Sequence, residues 1–216
     1  MEHINIYPHD LLKLNDFNAF KTPQLPDWAL IKLKKYQTVV VTRNQINNKD
    51  FLSVGVRGFE RNQRLGGIIA IKNIKEVITP YQLITDTYLT SLVNERIKLP
   101  VFKAIKYIKP ILDKRVTWGI GGSAGYELAT HDPMVKPTSD IDIILKMKCN
   151  QSLSYQMAIN LLTRVNQFNV HVDIQVVYKY RGFSLEEYVQ QRAKNILIKS
   201  EKGPFLSSNP WQDLFK

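Results

Sequence analysis

Residues 118–130 read WGIGGSAGYELAT, and residues 139–145 read SDIDIIL. The run Val116–Gly119 predicts a strand, the glycine-rich step at 120–122 a turn, and residues 123–130 a short helix. A second strand is expected over Ser139–Met147, where Ile141 and Ile143 alternate with Asp140 and Asp142. Farther along, residues 152–167 read as a helix, Val170–Val177 as a strand, Ser184–Lys194 as a helix and Ile196–Ile198 as a closing strand. Ser184, with Glu187 three residues later, fits a capping box. Strands alternating with helices indicate an α/β or α+β domain.

Upstream the pattern changes. Tyr81–Arg96 and Val101–Lys114 have helical spacing, the second with an apolar stripe of Phe102, Ile105, Ile108 and Leu112. Pro110 falls inside that stripe and predicts a kink or break. Residues 1–80 read as β-rich. Thr38–Thr42 is β-branched, the turn-prone NQINNKD follows, FLSVGVRG then completes a hairpin, and GGIIAIKNI at 66–74 is a third strand. Pro80 confines Thr79 to extended backbone and ends the pattern. The expected organisation is α+β, with a β-rich N-terminal domain at 1–80 and a second domain at 81–216.

Bulk properties narrow the class. The chain has 216 residues, 44% of them hydrophobic and 23% charged, which argues against disorder. No run of eighteen apolar residues suggests a membrane span, and the opening MEHINIYPHDLLKL lacks a signal-peptide core. A single cysteine, Cys149, excludes an internal disulfide or a thiolate cage. A soluble cytoplasmic protein is expected. Thirty Lys and Arg against 19 Asp and Glu give a net charge of +11. The excess is spread over both halves, +5 in residues 1–80 and +6 in residues 81–216. Such a field favours anionic partners: nucleic acid, polyphosphate ligands or an acidic protein.

The chemistry lies in three carboxylates and a glycine–serine turn. Residues two apart in a strand share a face, so Asp140 and Asp142 project together while the isoleucines enter a core. Paired carboxylates repel one another, and a hard cation such as Mg²⁺ relieves that repulsion while also binding substrate phosphates. In VHVDIQVV, His171, Asp173 and Gln175 share the face opposite Val170, Val172, Ile174 and Val176. If the two strands are neighbours, Asp173 completes a three-carboxylate metal site suited to in-line phosphoryl displacement. Gly121 and Gly122 let backbone approach a ligand, and Ser123 begins a helix whose N–H groups can cradle phosphate. An isolated Asp-x-Asp also serves as strand-edge charge or a helix cap. Its occurrence together with the turn and with Asp173 carries the reading. A haloacid-dehalogenase-type phosphatase also places Asp-x-Asp after a strand, but this chain has Ile144 where Thr or Val is usual there.

The order GGS, DID, VDIQV resembles the nucleotidyltransferase superfamily related to DNA polymerase β. That resemblance implies a nucleotidyltransferase-like mixed-sheet domain with flanking helices. It also implies that Gly122 and Ser123 hold triphosphate and that Asp140, Asp142 and Asp173 bind divalent metal. A narrower resemblance spans YPHDLL at 7–12, VGVRGFERNQR at 54–64, WGIGGSAGYELAT, SDIDIIL, VDIQV at 172–176, GFSLEEY at 182–188 and NPW at 209–211. These blocks are similar to the malonate decarboxylase holo-[acyl-carrier-protein] synthases, or phosphoribosyl-dephospho-CoA transferases. Tyr7 stands where many relatives have Arg. The resemblance implies transfer of a prosthetic group from 2'-(5''-triphosphoribosyl)-3'-dephospho-CoA to a serine of apo acyl carrier protein, with loss of pyrophosphate.

Arg57, Arg61 and Arg64 are assigned either to an acidic carrier protein or to the donor phosphates, and they share one face if GFERNQR is helical. His171 faces the Asp173 side; His9, His131, Cys149 and Trp118 read as structural. Two other functions fit the same residues. One is a nucleotidyltransferase using an ordinary nucleoside triphosphate on protein, RNA or a small molecule. The other is a basic nucleic-acid-binding module, disfavoured because interleaved aromatic and basic runs are missing.

Overall fold

In the unit Met1–Thr79, short β-branched and leucine-rich runs form five strands. They are β1 (Leu11–Leu14), β2 (Thr38–Val41), β3 (Phe51–Arg57), β4 (Arg64–Ala70) and β5 (Ile74–Ile78), with helix α1 (Asp27–Tyr36) between the first two. The computed structural model describes residues 5–44, 46, 48–60, 62–93, 95–113, 116–190 and 194–216. All five strands pair antiparallel in the order β4-β3-β2-β1-β5. Leu12, Leu14, Val39, Val41, Val54, Val56 and Ile69 meet Ala29 and Leu33 of α1 in one apolar core.

Three details differ from the sequence expectation. The segment 66–74 is not one strand. It ends β4 at Ala70 and turns at Ile71–Asn73 before β5 crosses to the other edge, beside β1. GFERNQR is not helical: Arg57 and Arg64 end and begin antiparallel partners, and the Gly58 N–H donates to the Gln63 carbonyl at 2.9 Å. Arg61 lies outside the described residues. Helix α1 went unread because lysines interrupt its apolar face. Lys32 is only 2% exposed, with its ammonium 3.2 Å from the centre of the Phe59 ring.

The unit Pro80–Lys216 contains α2 (Asp86–Thr90), α3 (Pro100–Leu112), β6 (Thr117–Ile120), α4 (Gly122–Thr130) and β7 (Ile141–Lys146). It continues with α5 (Tyr155–Val165), β8 (Val172–Tyr178), β9 (Arg181–Ser184) and α6 (Leu185–Gln190). The pair β10 (Ile196–Ile198) and β11 (Phe205–Ser207) and helix α7 (Pro210–Asp213) complete it. A four-stranded mixed sheet runs β6-β7-β8-β9, in which only β7 and β8 are parallel. Parallel neighbours need a long crossover, supplied here by α5. One sheet face carries Ile141, Ile143, Leu145, Val172, Ile174 and Val176, all buried.

Most of the segment expected as a helix over 81–96 is not helical. Its start is tied to the sheet instead: the Ile120 N–H donates to the Pro80 carbonyl at 3.1 Å, and a Cβ at Gly119 would strike the Pro80 backbone. Helix α3 runs through Pro110 to Leu112; the proline sits in the last turn, where it forfeits one helical bond. Ser184 caps α6 through a long bond from the Glu187 N–H, 3.4 Å, while the Glu187 carboxylate accepts from Leu197 N–H at 2.9 Å. The capping box is therefore half formed. No helix among the described residues is long and apolar enough to cross a membrane.

Candidate active site

The site is built where β6 turns into α4 and β7 begins. The Gly121 N–H donates to the Asp142 carbonyl at 2.8 Å, which fastens the turn to the strand. Gly122 has φ +58, and a Cβ there would fall on the Asp142 carboxylate. Glycine is thus required twice, for the left-handed backbone and for the space the aspartate occupies. Gly122 is exposed, whereas Ser123, the next residue of α4, is buried. The N–H groups of this first turn have no intrahelical acceptor and carry the positive end of the helix dipole, a setting suited to phosphate.

The carboxylates converge unequally. Asp142 and Asp173 are direct register partners on the parallel strands β7 and β8, both half-buried. Asp140 precedes β7 and is more open: its side chain is 60% exposed, with Oδ1 3.9 Å from His171 Nδ1. The other ring nitrogen of His171 lies 3.3 Å from Glu186 Oε2. Among the described residues, no group of three His, Cys, Asp or Glu is placed to hold a metal ion by itself. Mg²⁺ does not require such a cage. It commonly takes one or two carboxylates and fills its octahedron with substrate phosphates and waters. The oxygen donors of Asp142 and Asp173, beside a phosphate-suited turn, fit that mode. Arg57 and Arg64 belong to the other unit, as cross-strand partners at the β3–β4 hairpin.

An ion pair between a buried carboxylate and a half-buried guanidinium braces the helix that follows the turn. Glu127, on α4 and 1% exposed, receives two bonds from Arg96, Nε to Oε1 at 2.6 Å and Nη2 to Oε2 at 2.7 Å. Its Oε2 also accepts from the Val135 N–H at 2.7 Å, while Arg96 Nη2 donates to the Val135 carbonyl at 2.7 Å. The hydrogen bond with Glu127 raises the Arg96 pKa above its already high ordinary value, burial opposing it. Arg96 so clamps α4 to the segment joining it to β7, which separates the glycine–serine turn from the aspartates. Sequence reading missed this clamp and also Glu186. The one signal was Glu127 itself, an acid among small and apolar residues of a short helix.

On a two-unit α+β chain carrying this site, family comparisons define the class as an enzyme, a transferase. Residues 88–210 match the family model described as phosphoribosyl-dephospho-CoA transferase MdcG C-terminal domain, and residues 7–80 match the model of the N-terminal domain. The chain belongs to the phosphoribosyl-dephospho-CoA transferase family. Relatives of that name include one from Pseudomonas syringae pv. tomato, 32% identical over 95% of this chain and 93% of its own. One from Klebsiella pneumoniae is 32% identical over 94% and 95%, and one from Azotobacter vinelandii 29% identical over 96% and 95%. No solved structure matches the chain.

Proposed function

We propose that the protein attaches the phosphoribosyl-dephospho-CoA group of 2'-(5''-triphosphoribosyl)-3'-dephospho-CoA to a serine of the apo acyl carrier protein of malonate decarboxylase. The α4 turn and strands β7 and β8 act as a nucleotidyltransferase-like centre of the DNA polymerase β type. The observation that carries this reading is the contact between the Gly122 turn and the Asp142 carboxylate, with Asp173 alongside. One element suits phosphate and the other suits a cation that also binds phosphate, and they touch.

In the reaction the serine oxygen forms a bond to the α-phosphorus, the bond to the β-phosphate oxygen breaks, and pyrophosphate and the hydroxyl proton leave. N–H groups at the start of α4 and the Ser123 hydroxyl hold the departing phosphates. Asp142 and Asp173, joined by Asp140, would hold Mg²⁺. Bound there, the ion neutralises charge on the phosphate oxygens. Positioning and electrostatics carry the catalysis, because in-line displacement at the α-phosphorus needs an aligned nucleophile and stabilised charge and no covalent bond to the protein. Arg57, Arg61 and Arg64 serve the acidic carrier or the donor phosphates.

The test supplies purified apo carrier, donor and Mg²⁺, and follows carrier mass and pyrophosphate. Carrier gaining one prosthetic group, with stoichiometric pyrophosphate, is expected; Asp142→Asn should retain the fold and lose nearly all transfer. A carrier left unmodified by the donor but labelled from an ordinary nucleoside triphosphate would replace this reading.

A further inference from the structure

One polar side chain near the site has no assigned work. Gln175 follows Asp173 by two residues on β8, so strand alternation puts both on one face. Its cross-strand neighbours are Ile144 on β7 and Ser184 on β9. The residue is only 8% exposed, yet its Oε1 has no hydrogen-bond partner among the described residues. A buried amide oxygen left unpaired is destabilising, and an apolar side chain would fill the position at less cost, as Val177 does two residues on. The polar column Asp173–Gln175 therefore reaches one pleat deeper than the carboxylates, about 6–7 Å along the strand.

We infer that the Gln175 amide, whose oxygen has almost no accessible surface as it stands, turns on donor binding to the ribose that carries the triphosphate and accepts a hydrogen bond from one of its free hydroxyls. The inference rests on the transfer reading above, which sets the α-phosphate at Asp142 and Asp173. From there the sugar's hydroxyls lie a few bonds beyond the phosphorus, within the span of one pleat. An unpaired acceptor recognises a hydroxyl by its proton, and a site built to pair with a hydroxyl rejects a ligand lacking it. Gln175 is thus a specificity-determining residue, selecting a ribose-linked donor over a deoxy one.

The experiment measures donor binding by calorimetry with Mg²⁺ and no carrier. It compares the triphosphoribosyl donor with its 2'',3''-dideoxy analogue on the wild-type protein, Gln175→Leu and Gln175→Met. The wild type should bind the hydroxylated donor about tenfold more tightly than the analogue. Both variants should bind the two ligands alike, at the analogue's affinity, with unchanged or higher thermal stability. Equal affinity of the wild type for donor and analogue overturns the inference, and that result needs no variant to fold. Variants that keep the wild-type preference overturn it too. A folded wild type that binds neither ligand removes the transfer reading itself, and the inference with it.

Discussion

A side chain at Gly122 would take the volume that the Asp142 carboxylate fills. In Gly122→Ala the new methyl displaces the Asp142 carboxylate, and the left-handed backbone adds about 1–2 kcal/mol. Misplacing a reacting group by about an ångström costs roughly a hundredfold in rate. Gly122→Ala should therefore fold, melt a few degrees lower and transfer roughly a hundredfold more slowly, as read from initial rates at saturating donor. A rate within twofold of wild type would place the aspartate elsewhere. Each member stood out in the sequence, because glycine and alternating carboxylates are local signals, but their contact did not. Nor did Lys32: a lysine reads as solvent-facing, and only the ring of Phe59, far along the chain, shows where its ammonium goes.

At the scale of elements, legibility followed the range of the interactions. Strand β7 and helix α4 are set by their own residues, and the sequence placed both to within two residues. The loss of helix in 81–96 and the strand–turn–strand at 64–78 were not readable, since each depends on which strand receives the segment's hydrogen bonds. The hairpin arginines show the same limit: a spacing of four and three suits a helix, yet β pairing prevailed over Arg57 and Arg64. The Arg96–Glu127 clamp joins residues 31 apart in sequence, beyond any periodicity. Arg96→Ala strands a carboxylate in the interior, and breaking such a pair costs about 3–5 kcal/mol. Urea denaturation should show that loss, while Lys98→Ala, which removes an exposed pair, should cost less than about 1 kcal/mol. A near-neutral Arg96→Ala would mean that Glu127 finds water or another donor.

Across the whole molecule, charge and the order of assembly matter most. With a net +11, encounter with an acidic carrier should slow as salt rises, since screening acts over about 8 Å at physiological ionic strength. Arg64→Glu should raise the carrier KM and leave donor binding nearly unchanged; a change in donor binding alone would assign the hairpin to phosphate. Acid stability has named contributors. Hydrogen bonds from Lys216 and Ser207 hold Asp213 below the usual carboxylate range. For Asp113 burial acts the other way, but bonds from Lys109 and Trp118 prevail and the net shift is again downward. Both groups therefore protonate more readily in the unfolded chain. Their stabilisation is present above the ordinary value near about 3.9 and disappears as pH falls through the lower folded values. Asp213→Asn should flatten the fall in melting temperature below about pH 4; an unchanged slope would remove Asp213 from the account. The parallel pairing of β7 with β8 has a temporal consequence. Asp142 and Asp173 come from strands separated by a helix crossover, and they meet only after that whole crossover has docked. Non-local parallel contacts are among the slowest to form. During refolding, helical signal should return before transfer activity, and activity should appear only with the last phase. On the proposed function, a newborn chain gains its transfer centre only once that crossover has docked, so catalysis waits for the second unit.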